Sequence, residues 1–483
     1  MDPSRPVLLL VLAGLLAAGP AARAQERGGG DAPAKPPQDP GPAAPAKGGA
    51  PAAPPHDPRP ANDPGDPLPA RIDHAIDAGV RFLMDRDGKK DPLLSVTGNW
   101  DNEIKGNVVY EKTGTENTWC DPTGCTSLCL YALLKSGVSR DDPVVKKAFQ
   151  WLKTGRSNCV LHGSLLVPNE VPNGTYEIAA LVLALEARAN PHKREADRER
   201  DLKFRLKKGE KIDAGVTLDA ADHAWMKKLL EALVKRKNKG AAWRYGNVQD
   251  DGVLYNGIRG VNDLSASQLA TLALLAGERC GFRQADQVYL DTLQWTLGNQ
   301  EKDGPERARR VPVVSEEDRR YGAPRDRARG FGYTGISGAD DENRATGSMT
   351  CCGLANILIG SGILQARESR GYTPALQTQV EKAWWDGVAW MDEHWSVETN
   401  ANRKGYNYHY YFLYCMERAC DLRRISVLAG HPWYAEGAKV LVDQQDPSGA
   451  WTKKDTHLPC EVLNTCFALL FLDRATQAIT AGD

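Results

Sequence analysis

Residues 461–474 read Glu-Val-Leu-Asn-Thr-Cys-Phe-Ala-Leu-Leu-Phe-Leu-Asp-Arg, a run apolar on almost every helical side. A helix of that kind must be enclosed by neighbours, because no side of it can face water without exposing large apolar groups. It lies close to the end of the 483-residue chain. An open stack of helical repeats needs polar outer faces on its terminal units, so this run argues that the last unit closes against the first.

Working upstream from that run, the same order recurs six times: an amphipathic helix, a Gly- or Trp-containing loop, and a second helix richer in small and apolar residues. The spacing predicts the first helices over 72–85, 143–153, 221–235, 287–297, 379–393 and 432–445. Each carries one stripe, such as Ile72, Ile76, Val80 and Leu83, or Val380, Trp384, Val388 and Met391, at the interval that buries one side. Second helices are expected over 126–135, 176–188, 265–278, 349–359, 408–420 and 461–474, with apolar runs such as LCLYALL, IAALVLALEA and CFALLFLDRA. Half-exposed outer helices alternating with enclosed inner ones predict an all-α chain, an α/α toroid of six helix pairs, or (α/α)6 barrel, over residues 70–478. Strand signals are nearly absent, a short hairpin over 107–112 being the one candidate.

The loop before the last inner helix reads Gln445-Asp446-Pro447-Ser448-Gly449-Ala450-Trp451, and Thr465-Cys466-Phe467-Ala468-Leu469-Leu470 follows. This resembles the Gln-to-Gly-x-Trp repeat of the prenyltransferase and squalene-cyclase family, as a divergent exported member. Weaker echoes are Gly98-Asn99-Trp100, Lys239-Gly240-Ala241-Ala242-Trp243, and Gln300 to Gly304 resumed after an insertion at Gly330-Phe331-Gly332-Tyr333. The resemblance implies the toroid and spans about residues 72 to 476. On physical grounds alone, Gln445 can meet unpaired carbonyls at a helix end, Gly449 can take positive φ, and Trp451 can cover the joint.

The ends and composition set the context. Arg5 precedes the apolar run Val7 to Leu16, and Ala22-Arg23-Ala24 supplies small residues for cleavage, so residues 1–24 read as a signal peptide of a secreted or periplasmic protein. An uncleaved N-terminal anchor is the alternative; otherwise no membrane embedding is expected. Residues 25–69, rich in Pro, Ala and Gly, read as a disordered tether. With 25% charged residues and a net charge of -1, the chain has no global field for nucleic acid. The charged insertions at 192–217 and 305–329 mix both signs and read as solvated loops. Of the 11 cysteines, Cys129, Cys352, Cys415 and Cys466 lie in apolar runs and read as core thiols, whereas Cys120 and Cys125 flank a short loop that suits a disulfide.

In a double-walled ring the loops entering the inner helices gather at one mouth, where free helix amides and dipoles point. The chemistry expected of the family is incomplete there. Val248-Gln249-Asp250-Asp251 lacks the first Asp of the acidic cyclase cluster, and Asp340-Asp341-Glu342-Asn343-Arg344 fails the Asp-Asp-x-x-Asp magnesium pattern. No Asp-x-Cys zinc motif stands at an inner helix start; His409 with His457, Cys460 and Glu461 offers only a rearranged ligand set, so no metal is assigned. Neither a P-loop nor a dinucleotide fingerprint occurs, and no cofactor is assigned. The leading expectation is therefore a toroid that binds an apolar or amphipathic small molecule, or a protein partner, in its central cavity. The alternative is a glycan-active hydrolase or lyase using Glu177, Glu461, His409 and Tyr408, among Tyr406, Tyr410, Tyr411 and Trp395. Against that alternative stands a packing role for the tyrosines and dipole stabilisation of the two glutamates.

Overall fold

The computed structural model describes residues 65–84, 100, 122–154, 160–161, 164–165, 171–172, 174–190, 216–238, 241–244, 262–310, 324–334, 344–403, 407–452 and 461–474. The signal-peptide reading, the tether reading up to residue 64, the 107–112 hairpin, and Asp250, Asp251, Cys120, Tyr406, His457 and Cys460 lie outside the described residues, while Leu68 and Pro69, placed at the end of the tether, already belong to the first helix. Every described element belongs to the unit Arg59–Asp483.

The fold is all-α. Among the described residues are twelve helices: α1 (Leu68–Leu83), α2 (Pro122–Lys135), α3 (Pro143–Thr154), α4 (Thr175–Ala189), α5 (Ala220–Arg236), α6 (Leu264–Arg279), α7 (Asp286–Gly298), α8 (Gly347–Ala366), α9 (Pro374–Glu393), α10 (His409–Arg423), α11 (Trp433–Gln444) and α12 (Glu461–Leu472). All twelve coincide with a helix expected from periodicity, and the differences are at the ends. Helix α8 runs two turns further than the 349–359 expectation, through Gly360, Ser361 and Gly362. Gly360 faces α7, where a Cβ would make ordinary contact with Leu293 at 3.5 Å, so the helix carries the ~1 kcal/mol that a mid-helix glycine costs. Helix α9 starts five residues early because Thr373 caps it, its hydroxyl accepting from Leu376 N at 3.4 Å, with Pro374 in the first turn.

The even-numbered helices are the enclosed set. From α2 onward each packs against the next even-numbered helix, and α12 packs against α2, so the succession returns to its start. Side-chain pairs show that these neighbours run parallel. Lys135 and Glu186 meet near the C-terminal ends of α2 and α4, and Glu278 of α6 meets Arg367 just past α8. Tyr176 and Ser265 meet near the N-terminal ends of α4 and α6. Further along, Cys352 in the second turn of α8 meets Cys415 of α10, and Cys466 meets Cys129 halfway along α12 and α2. Phe467 of α12 lies against Tyr411 and Tyr414 of α10. Odd-numbered helices flank this set, each with exposed residues on one side.

One joint recurs in four of the units. The main-chain N–H of Trp100, Trp243, Phe331 and Trp451 donates to a hydroxyl in the first turns of the following even helix: Thr126, Ser267, Thr350 and Thr465, at 3.0–3.3 Å. The indole N–H of Trp100, Trp243 and Trp451 donates to the carbonyls of Leu83, Leu233 and Leu441, closing the preceding odd helix. Gln300 Nε2 reaches Arg329 O and, in the next odd helix, Ala383 O of α9. Gln445 Nε2 repeats both bonds, to Gly449 O at 2.9 Å and to Ala75 O of α1 at 2.8 Å. The bond that ties the fourth unit to the fifth thus also ties the sixth to the first. Lys237 occupies the matching place in the third unit and reaches Asp291 of α7 by an ion pair of 2.6 Å.

Strand is as sparse as expected among the described residues, though two small hairpins form where the sequence offered no signal. Strands β1 (Val160–Leu161) and β2 (Ser164–Leu165) pair antiparallel, as do β3 (Glu306–Ala308) and β4 (Arg325–Arg327). The second lies inside the 305–329 insertion, which is not a wholly solvated loop. It is pinned to α9 by Arg329 Nε to Asp386 Oδ2 at 2.8 Å and by Arg327 N to Asp386 Oδ1 at 2.9 Å. Asp386 is fully buried, and Arg309 forks onto the buried Asp326 with two bonds of 2.8 Å.

Helix α8 is the one described helix long and apolar enough to cross a membrane, with mean hydropathy 1.5, and 94% of that stretch is buried within the protein.

Candidate functional site

Parallel even helices bring their N-terminal turns to one end of the set, where buried polar groups recur, such as Thr126 of α2, Ser348 of α8 and Asn464 of α12, and a connected line of them lies on α4 and α6. Asp263 caps α6, its Oδ1 accepting from Ala266 N at 2.7 Å and from Ser265 Oγ at 2.7 Å. Ser265 in turn shares a hydrogen bond with the Tyr176 hydroxyl of α4. A line of polar groups therefore runs Tyr176, Ser265, Asp263, all under 5% exposed. Asp263 Oδ2 has no hydrogen-bond partner. Burial pushes its carboxyl up to about 7 against the lowering effect of the Ala266 and Ser265 bonds. One turn on, the fully buried Gln268 has neither amide atom bonded. A carboxyl with a proton near neutrality and a spare amide can present both donor and acceptor to a polar group.

The four residues singled out from sequence begin three different helices. Glu177 is buried in the first turn of α4, and its Oε2 accepts from Gly174 N at 3.0 Å, the reach of a capping carboxylate. The Glu177 charge also acts on Arg236 of α5. His409 opens α10, 5% exposed, with Nε2 2.8 Å from Val397 O. Tyr408 precedes it in the left-handed region at φ 46, with Arg403 5.5 Å from its ring centre. Glu461 is the exposed first residue of α12, which packs against α10. Tyr408 and His409 thus share one helix start with Glu461 on the adjoining helix, whereas Glu177 begins α4, on the other side of α2.

Periodicity did not single out Asp263, whose Asn-Asp-Leu-Ser setting reads as an ordinary helix cap. Nor did it single out Arg418, fully buried in the middle of α10. The available signal was a charged pair, Glu417-Arg418, inside an otherwise apolar inner helix.

Comparison of the chain with models of protein families and with curated proteins finds no match in either. The site therefore rests on its own geometry.

Among the described residues no group of three His, Cys, Asp or Glu side chains is arranged to hold a metal ion. A surface depression lies elsewhere, between the β3–β4 hairpin and α9, where Arg309 stacks on Trp385 at 4.0 Å. Cys125, proposed for a disulfide, is instead a free buried thiol in α2. The four cysteines read as core thiols are fully buried.

Proposed function

We propose that residues 70–478 are an α/α toroid of prenyltransferase and squalene-cyclase type that takes an apolar or amphipathic ligand, or the apolar face of a protein partner, at the end where the even helices begin. The observation that carries this reading is the repeated clasp: Gln445 reaches Ala75 as Gln300 reaches Ala383. That equivalence supports closure, and closure supports a common mouth. The Tyr176–Ser265–Asp263 line is its polar anchor, suited to an alcohol or other uncharged head group. Export by cleavage after Ala24 belongs to the same reading, and N-terminal sequencing of protein secreted by a bacterial host tests it separately.

The test of binding is organic extraction of the purified protein with mass spectrometry, followed by titration with long-chain prenyl alcohols. Saturable binding weakened about tenfold or more in Asp263→Asn or Tyr176→Phe, on the scale of one hydrogen bond to a polar group, supports the reading. It fails if nothing apolar is extracted and no alcohol binds. Turnover of a prenyl diphosphate, abolished by Asp250→Ala or Asp251→Ala, replaces binding with catalysis.

A second reading, glycan cleavage, is favoured by the left-handed backbone of Tyr408, a conformation that tends to be retained where function holds it. Release of reducing ends from a polysaccharide panel should then fall sharply in Tyr408→Phe and Glu461→Gln. No release by the parent protein removes it.

A further inference from the structure

The second turn of α8 and the middle of α10 hold two thiols, a guanidinium and a phenol in contact. Cys352 Sγ donates to Cys415 Sγ at 3.5 Å, and the Tyr411 hydroxyl lies 3.5 Å from Cys352 Sγ. Arg418, one helical turn beyond Cys415, places Nη2 2.9 Å from Cys415 Sγ. Its guanidinium sits 4.0 Å from the Tyr414 ring centre and has Nε and Nη1 unbonded. All three of Cys352, Cys415 and Arg418 are fully buried. A buried guanidinium is costly unless an anion accompanies it, and the sulfur against Nη2 is the group placed to be that anion.

The molecule contains its own comparison. Cys466 and Cys129 also stand sulfur to sulfur, at 3.6 Å, across α12 and α2, fully buried, and the groups acting on Cys129 are the Cys125 and Cys466 thiols. Burial raises both of those thiols. Burial also raises Cys415, but the Cys352 hydrogen bond, the Arg418 charge and the Tyr411 and Arg418 hydrogen bonds outweigh it, and the thiol comes down to about 7. The separations match, and what sets the first pair apart is Arg418 together with the Tyr411 hydroxyl, where the second pair has the Cys125 thiol beside Cys129.

We propose that Cys352 and Cys415 form a redox-active dithiol that is oxidised by hydrogen peroxide, with Cys415 as the attacking sulfur, Cys352 as the resolving one and Arg418 holding the thiolate. The Cys415 thiolate attacks one peroxide oxygen, forming an S–O bond as the O–O bond breaks, and the departing hydroxide takes up the proton released when Cys415 ionised. Cys352 sulfur then attacks Cys415 sulfur, forming the S–S bond; the S–O bond breaks and leaves with the Cys352 proton as water. Two electrons pass from the two sulfurs to the peroxide, giving one disulfide and two waters. Closing the sulfurs from 3.5 Å to the ~2.0 Å of a disulfide bridges α8 and α10. Enclosure of both sulfurs restricts the oxidant to a water-sized, uncharged molecule.

The experiment uses the full chain, reduced, freed of reductant and exposed to hydrogen peroxide, with peptide mapping over time. The expected result is a Cys352–Cys415 disulfide forming at least about tenfold faster than any Cys129–Cys466 disulfide, following the larger thiolate fraction. In Cys352→Ser the reaction should halt at a Cys415 sulfenic acid, trapped by a cyclic 1,3-diketone. Arg418→Gln should bring the Cys352–Cys415 rate down toward that of the comparison pair. Should Arg418→Gln fail to fold, Cys352→Ser, which alters no charge, decides the matter. Equal rates for the two pairs, or no diketone adduct at Cys415, overturn the proposal.

Discussion

At the scale of single residues, the clasp concentrates several constraints in one loop. Gln445 satisfies two carbonyls, and Gly449 sits at φ 86 where a Cβ would come 2.4 Å from Ala78 O. Gln445→Ala should cost ~1–3 kcal/mol by removing two hydrogen bonds at the joint, and Gln300→Ala should cost about the same if the two clasps are equivalent. Gly449→Ala should be at least as damaging, since φ and space both oppose it. Chemical denaturation of the three variants checks this, and a Gln445 variant as stable as the parent rejects the equivalence. Asp263 gives a pH signature. Its carboxyl titrates at about 7 in the folded protein against an ordinary 3.8. The folded state thus keeps a proton that the unfolded chain has released, and its contribution to stability, full below pH ~4, is lost as pH rises to ~7. Asp263→Asn, which keeps an acceptor for Ala266 N, should remove that slope and equal or exceed the parent in stability above pH 7. A parallel pH profile for variant and parent contradicts the assignment. Gln445 and Gly449 were readable because a loop motif names them; Asp263 was not, because its perturbation comes from burial, which its local cap setting does not reveal.

Between elements, the even helices are joined by few but buried polar pairs. Lys135 of α2 and Glu186 of α4 meet at 3.3 Å, with side chains 2% and 1% exposed. Burial works to raise the Glu186 carboxyl, but the Lys135 and Arg279 charges and the Asn190 and Lys135 bonds bring it below its ordinary range. Glu186→Leu should cost ~3–5 kcal/mol by leaving an ammonium buried, whereas Lys135→Met with Glu186→Leu should recover most of that loss. A double-mutant cycle by denaturation reads the coupling, and additive losses contradict it. Such pairs also explain what periodicity could and could not reveal. An apolar stripe decides that a segment is helical and which side is buried, so all twelve helices were legible. The partner of each helix depends on groups far apart in the chain, such as Lys135 with Glu186 or Cys129 with Cys466. Hairpin β3–β4 was hidden for the same reason: its charges resembled a solvated loop until Asp386 of α9 supplied their partner. The four residues chosen by sequence were legible as helix starts, because that is a local property.

For the whole molecule, the consequence of α12 packing on α2 is that the first and last helices should lose structure together. Arg71 of α1 pairs with Asp443 of α11 at 2.6 Å, and α1 also packs on α12. At Gly79 of α1 a Cβ would stand 2.9 Å from the Trp451 ring and 3.0 Å from Leu469 of α12. Gly79→Val therefore overfills this seam, at a cost of ~1–3 kcal/mol, while leaving every other joint untouched. In an open stack the damage would stay at the end that carries α1, and opening would spread only from that end. In a closed set α12 loses its support as well, exposing the sides of α2 and α10 that it covers. Native-state amide exchange of Gly79→Val should then show faster exchange in α1, α2, α10, α11 and α12 together, with α6 and α7, on the far side of the succession, least changed. Faster exchange confined to α1 would leave α12 stable without it, and the six units would be a stack with two ends.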